Sequence, residues 1–207
     1  MSMMKTIIFD IDGTIFDTKK GIINCLNDVL NAYGQETINK TEEDKYIGPA
    51  IKDSLMKFNG FSEEMAAEAT REYRRKYVAK YVGESIPYDG LKELLEYLKN
   101  NHYRICIATM KTQAQVERLF ETFGVTDFFA RIETAKESGG YTKVNMLESI
   151  KAKYPQDKMI FVGDTMGDYK AAVKTEIPFV YAKYGYGELE TGDCAVIGAL
   201  AELRQLL

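Results

Sequence analysis

One histidine and three cysteines in 207 residues remove several kinds of chemistry at once. Cys25, Cys106 and Cys194 are odd in number, far apart and without paired spacing, which argues against a disulfide framework and against a zinc site. A reducing, cytoplasmic setting is therefore expected. His102, between Asn101 and Tyr103 where a helix should give way to a strand, reads as a surface connector, because histidine chemistry needs an orienting partner. No apolar run approaches the length of a membrane span, and the four apolar or near-apolar residues between Lys5 and Asp10 are too few for a secretory signal. An excess of positive charge is missing too. The net charge of −4 argues against general nucleic-acid binding, but allows an anionic substrate in a locally positive cleft.

What is present is a recurring alternation. Strand-like apolar runs fall at 5–9, 103–108, 128–132, 159–162 and 177–181, and helical patterns at 89–100, 111–122, 142–153, 165–174 and 198–206. That spacing predicts an α/β fold, a Rossmann-like parallel sheet with helices on both faces. One interval breaks it: residues 19–82 carry helical periodicity and no convincing strand. A crossover needs only one helix, so this stretch predicts an inserted α-helical cap domain over 17–84, with the catalytic core formed by 1–16 and 85–207. Its fourth helix, expected over Ser62–Val82, places Tyr73, Tyr77 and Tyr81 in one stripe beside basic residues. A packed face with a solvated basic flank explains that stripe better than a nucleic-acid stacking surface.

The chemistry gathers at strand ends. Ile7-Ile8-Phe9-Asp10-Ile11-Asp12-Gly13-Thr14 delivers two carboxylates to the end of an apolar strand, on one face and roughly 6.6 Å apart along the backbone. Met159-Ile160-Phe161-Val162 ends in Gly163-Asp164-Thr165-Met166-Gly167-Asp168, where Asp164 and Asp168 face the same side once a helix begins. With Asp10 they make an oxygen-only set, which favours Mg²⁺. Ile105-Cys106-Ile107-Ala108 ends in Thr109-Met110-Lys111, whose hydroxyl, amides and ammonium suit phosphate oxygens. Lys143, expected at a helix start, could neutralise the carboxylates and a transferring phosphoryl group, with Lys136 as its competitor.

Together these segments resemble the four motifs of the haloacid dehalogenase superfamily of phosphohydrolases, in order and along the whole chain. Asp10 to Thr14 resembles its nucleophile motif, Thr109 its phosphate-binding motif, Lys143 its lysine motif, and Gly163-Asp164 through Asp168 its acidic motif. Tyr46-Ile47-Gly48-Pro49 is similar to the cap loop of the phosphoglycolate phosphatase-like subgroup. Met110 stands where a small polar residue is common, and Val144 where proline often comes after the lysine. The resemblance implies a Mg²⁺-dependent hydrolase of a small-molecule phosphate ester, with Asp10 as nucleophile, Asp12 as acid and base, and Thr109 and Lys143 as catalytic partners. It implies metal ligation by Asp10, Asp164, the backbone carbonyl of Asp12 and Asp168, and substrate contacts from Gly13, Thr14, Met110 and Lys111 and from the cap residues Gly48, Pro49 and Lys52. A phosphosugar mutase, a nucleotidase or pyrophosphatase of the same superfamily, and a non-catalytic phosphate-ester binding module are the alternatives.

Overall fold

The computed structural model describes residues 4–136, 138–190 and 194–207; the remaining positions, including the start of the expected core segment at 1–3, lie outside it. A six-stranded parallel sheet forms the base. Its strands are β1 (Lys5–Phe9), β4 (Arg104–Thr112), β5 (Arg131–Ala135), β6 (Lys158–Gly163), β7 (Phe179–Ala182) and β8 (Ala195–Ile197), in the spatial order β5-β4-β1-β6-β7-β8. The helices α4 (Leu91–Asn100), α5 (Gln113–Phe123), α6 (Lys143–Lys153) and α7 (Met166–Thr175) supply the connections.

Alternation along β1 explains how the sheet is covered. Ile7 and Phe9 enter one apolar cluster with Leu94, Leu98, Val116 and Phe120, whereas Ile8 enters the other with Met146, Leu147, Ile150 and Ala172. Successive strand side chains point to opposite faces, so one apolar strand feeds both layers. In register, Ile8 lies between Cys106 and Phe161. The chain runs outward on one side of β1 through β4 and β5, then returns to its other side at β6. That reversal creates a crevice at the carboxyl ends of β1, β4 and β6.

A short antiparallel ribbon of β2 (Phe16–Asp17) and β3 (Ile86–Pro87) marks where the chain leaves this base and returns. Between them lie α1 (Lys19–Ala32), a 3₁₀ segment (Lys40–Tyr46), α2 (Ile51–Asn59) and α3 (Glu63–Lys76). Ser62 caps α3 by accepting from the Met65 N–H at 3.2 Å. Gly21 lets α1 meet the end of this helical unit closely, since a Cβ there would fall 2.5 Å from the Tyr81 carbonyl oxygen.

Several boundaries differ from expectation. The long helix expected over Ser62–Val82 leaves regular α geometry at Lys76 and continues as a π turn over Tyr77–Tyr81. Tyr73, Tyr77 and Tyr81 are all buried, as a packed face requires. β4 runs on to Thr112, so Lys111 lies within a strand and does not begin a helix; α5 starts at Gln113, where the Thr112 N–H finds the Gln115 side chain at 2.8 Å. Residues 126–128 form a 3₁₀ turn, which moves β5 to 131–135, and the carboxyl-terminal helix is a 3₁₀ segment over Leu200–Leu206. His102 occupies an exposed turn with φ of 60°.

Candidate active site

Asp10 lies just past β1 and is buried, its backbone N–H bonded to the Val162 carbonyl at 3.0 Å. The Lys143 ammonium, carried in by the first residue of α6, sits 2.7 Å from Asp10 Oδ1 and 2.9 Å from Asp168 Oδ1, and donates to the Ala108 carbonyl at 3.0 Å. Lys136 is exposed and lies over the Tyr141 ring, so of the two lysines the structure brings Lys143 to the carboxylates. The approach to Asp10 Oδ1 lacks hydrogen-bond geometry, and that oxygen is left buried without a hydrogen-bond partner. Such an atom is costly unless something else completes its coordination.

Asp10, Asp164 and Asp168 each offer an oxygen within 4.8 Å of one another, an arrangement that can hold a metal ion. Burial, reinforced by the neighbouring Asp168 and Asp12, raises the Asp10 carboxyl to about 7 even against the Lys143 charge. Asp164 is raised as well, by burial first and then by Asp168 and Asp10. For Lys143, burial opposes the charge, but Asp10 and Asp168 outweigh it and its pKa rises.

Asp12 belongs to a second group. Its Oδ1 pairs with Lys111 Nζ at 2.8 Å and accepts from the Thr18 hydroxyl, while Lys111 also reaches the Tyr77 hydroxyl at 3.3 Å. Lys111 is thus turned onto Asp12 and buried there, where sequence reasoning gave it to the substrate. Gly13 and Thr14 likewise have other duties. Their N–H groups close the turn on the Phe16 and Ile11 carbonyls, and the Thr14 hydroxyl approaches Asp164 Oδ1 at 3.3 Å. Thr109 is buried at the end of the regular β4 pairing, its hydroxyl accepting from the Lys111 N–H at 3.3 Å.

Sequence reasoning missed the loop after β7. Tyr186 donates its N–H to Asp164 Oδ2 at 2.8 Å, and its hydroxyl donates to Asp17 at 2.7 Å while accepting from the N–H groups of Thr18 and Lys19. One residue therefore ties the acidic cluster to the start of the helical insertion. The available signal was the pair of glycines flanking it. A Cβ at Gly185 would fall 2.3 Å from Asp164 Cβ and one at Gly187 2.6 Å from the Asp164 carbonyl oxygen, while across the site one at Gly13, where φ is 74°, would fall 2.1 Å from Asp164 Oδ2.

Above this floor a cleft of about 1270 Å³ separates the helical insertion from the sheet. Gly48, Pro49 and Lys52 line its upper wall and Met110 and Lys111 its lower one; Lys52 is paired with Glu63 at 2.8 Å. Gly48 approaches the base directly, a Cβ there reaching the Thr165 methyl at 3.0 Å. Among the described residues, seven lysines and arginines line the cleft against two carboxylates, so it is positive within a chain of net negative charge.

The family model for haloacid dehalogenase-like hydrolases matches residues 7–182. A 5′-nucleotidase from Pseudomonas aeruginosa is 27% identical over 97% of this chain and 94% of its own. A phosphoglycolate phosphatase from Agrobacterium fabrum is 29% identical over 88% and 82%. The tyrosine-protein kinase PtkA of Mycobacterium tuberculosis is 29% identical over 90% of this chain, which spans 65% of that kinase's length. Among solved structures, a predicted phosphatase from Clostridium acetobutylicum superposes with a TM-score of 0.90 at 27% identity, covering 99% of this chain and 98% of the other.

Proposed function

Since the chain belongs to the haloacid dehalogenase-like hydrolases, we propose that it is a Mg²⁺-dependent phosphatase that hydrolyses a small phosphate ester through an aspartyl-phosphate on Asp10. The observation that carries this reading is the convergence of Asp10, Lys143, Asp164 and Asp168 at the carboxyl ends of β1 and β6, with Asp10 Oδ1 ion-paired to Lys143 but without a hydrogen bond. The relatives named as phosphatase and nucleotidase support the class of substrate.

Asp10 attacks phosphorus in line, and the leaving alkoxide takes a proton from Asp12. Asp12 then accepts a proton from the water that opens the aspartyl-phosphate, so inorganic phosphate departs and both acids return to their starting states. Lys111 and Thr18 hold the Asp12 carboxylate for both steps. Thr109, the adjoining Met110 amide and Lys143 cradle the phosphoryl oxygens.

The donor set fits a hard divalent cation: three carboxylates and no sulfur or imidazole. Asp10 and Asp164 would hold it. The Asp168 oxygens are engaged by Lys143 and by the Thr165 N–H and hydroxyl, which suits a supporting place. When bound, Mg²⁺ offsets the repulsion between the carboxylates and a phosphate dianion. Gly48, Pro49 and Lys52 belong to the wall that meets the leaving group.

The test is phosphate release from p-nitrophenyl phosphate with Mg²⁺. Asp10→Asn should lose at least ~10³-fold in kcat while its circular dichroism stays native. Retained turnover in a folded variant would remove the covalent mechanism.

A further inference from the structure

The upper wall of the cleft holds positive charge that the proposed chemistry does not use. On α3, Ala67, Thr70, Arg71, Arg74 and Arg75 line the cleft, with Val78 of the π turn after them, a spacing that puts one helix face against the reacting floor. Arg71 and Arg75 are exposed, and neither forms an ion pair or hydrogen bond with another described residue. The floor cations differ. Lys143 is bound to Asp10 and Asp168 and Lys111 to Asp12, which places them on the scissile phosphate and its acid.

A structural reason for the arginines accounts for only part of this. Cations in the last turn of a helix favour its dipole, which covers Arg75 but not Arg71 a turn earlier. Like charges four apart on one helix repel, so the pair carries a cost. Two guanidinium groups at that spacing do suit one anionic group, because each offers a fork of donors. The space agrees. A cleft of about 1270 Å³ exceeds the roughly 300–1,000 Å³ of sites that enclose drug-sized ligands, so a two-carbon leaving group would leave most of it to water.

Building on the phosphatase reading, we infer that the preferred substrate is a phosphate ester whose leaving group is of sugar or nucleoside size and carries a second anionic group, received by Arg71 and Arg75. The floor takes the scissile phosphate; the α3 wall takes the other charge.

Matched pairs that differ only in the second phosphate test this: fructose 1,6-bisphosphate against fructose 6-phosphate, and adenosine 3′,5′-bisphosphate against adenosine 5′-monophosphate. In at least one pair the wild-type kcat/KM should be higher for the bisphosphate by ~10-fold or more, the scale of a charge-assisted contact. That ratio should fall toward one in Arg71→Ala/Arg75→Ala and in Arg71→Glu. Calorimetric binding of the same pairs to Asp10→Asn should show the same preference without turnover. Equal values within both pairs would overturn the inference, as would a preference that survives both arginine variants. If no ester is hydrolysed but the binding preference holds and depends on the arginines, the phosphatase reading fails and the second anion site stands.

Discussion

The floor of the cleft and its α3 wall use charge in opposite ways. On the floor, Lys111 is buried and Lys143 largely so, and each contacts a carboxylate within 3 Å. On the wall, Arg71 and Arg75 face an open cleft without such partners among the described residues. Buried pairs are held in one geometry, as a reacting centre needs, whereas exposed long side chains adapt to the ligand that arrives. Reaction and selection are therefore carried by separate layers. Substitutions in the floor should lower turnover of every ester alike, and substitutions in the wall should re-rank the esters.

Lys143→Met should have the largest effect. Its loss removes the cation beside Asp10 and Asp168, so kcat should fall by ~10²- to 10³-fold for all esters, with their ranking preserved. Stability should fall as well, by about 3–5 kcal/mol in urea unfolding, because the buried carboxylates lose their counter-charge. A re-ranking of substrates in this variant would merge the two layers.

A smaller effect comes from the metal. The Asp10 carboxyl, pushed up to about 7 by burial, is protonated in the metal-free protein at mildly acidic pH. Because its folded value lies above the unfolded one, its contribution favours the folded state at low pH and is lost as pH rises through about 7. Bound Mg²⁺ requires the ionised form and restores that loss. The rise in Tm on adding Mg²⁺ should therefore grow between about pH 5 and about pH 8 in differential scanning fluorimetry, reaching several degrees at saturation. A Tm gain independent of pH would detach the cation from Asp10.

Asp10, Thr109 and Asp164 were legible in the sequence because each comes at the end of an apolar run. Ile7 to Phe9 and Met159 to Val162 could only be buried strands, and residues just past the end of a buried parallel strand lie in the crevice. The partners of those residues were less legible. Lys111 comes two positions after Thr109, but only the continuation of β4 to Thr112 turns it onto Asp12. Tyr186 acts across more than 160 residues of sequence on Asp17 and Thr18, a contact that no local period encodes. β8 spans only three residues, too short to show a period, and gains its place by pairing with β7. In the helical insertion the tyrosine stripe was readable as a packed face, yet the basic flank beside it became the wall of a cleft. Which surface a flank faces depends on how the insertion folds back over the sheet.

Tyr77 gives the smallest effect, and it stands where the two layers touch. It begins the π turn that ends α3, a geometry often found at functional positions, and its hydroxyl lies 3.3 Å from both Lys111 Nζ and Ser85 Oγ. The ring sits beneath the Lys111 ammonium at 4.6 Å and stacks with Tyr73 at 5.7 Å. Tyr77→Phe removes the hydroxyl and keeps the ring, so unfolding free energy should fall by only about 1 kcal/mol. Lys111 keeps its pairing with Asp12 but loses one of its anchors, and kcat should fall a few-fold for every ester, with the preference for a second anion unchanged. If that preference shifted instead, Tyr77 would belong to the selecting wall, and the boundary between the layers would have to move from the end of α3 down to Lys111.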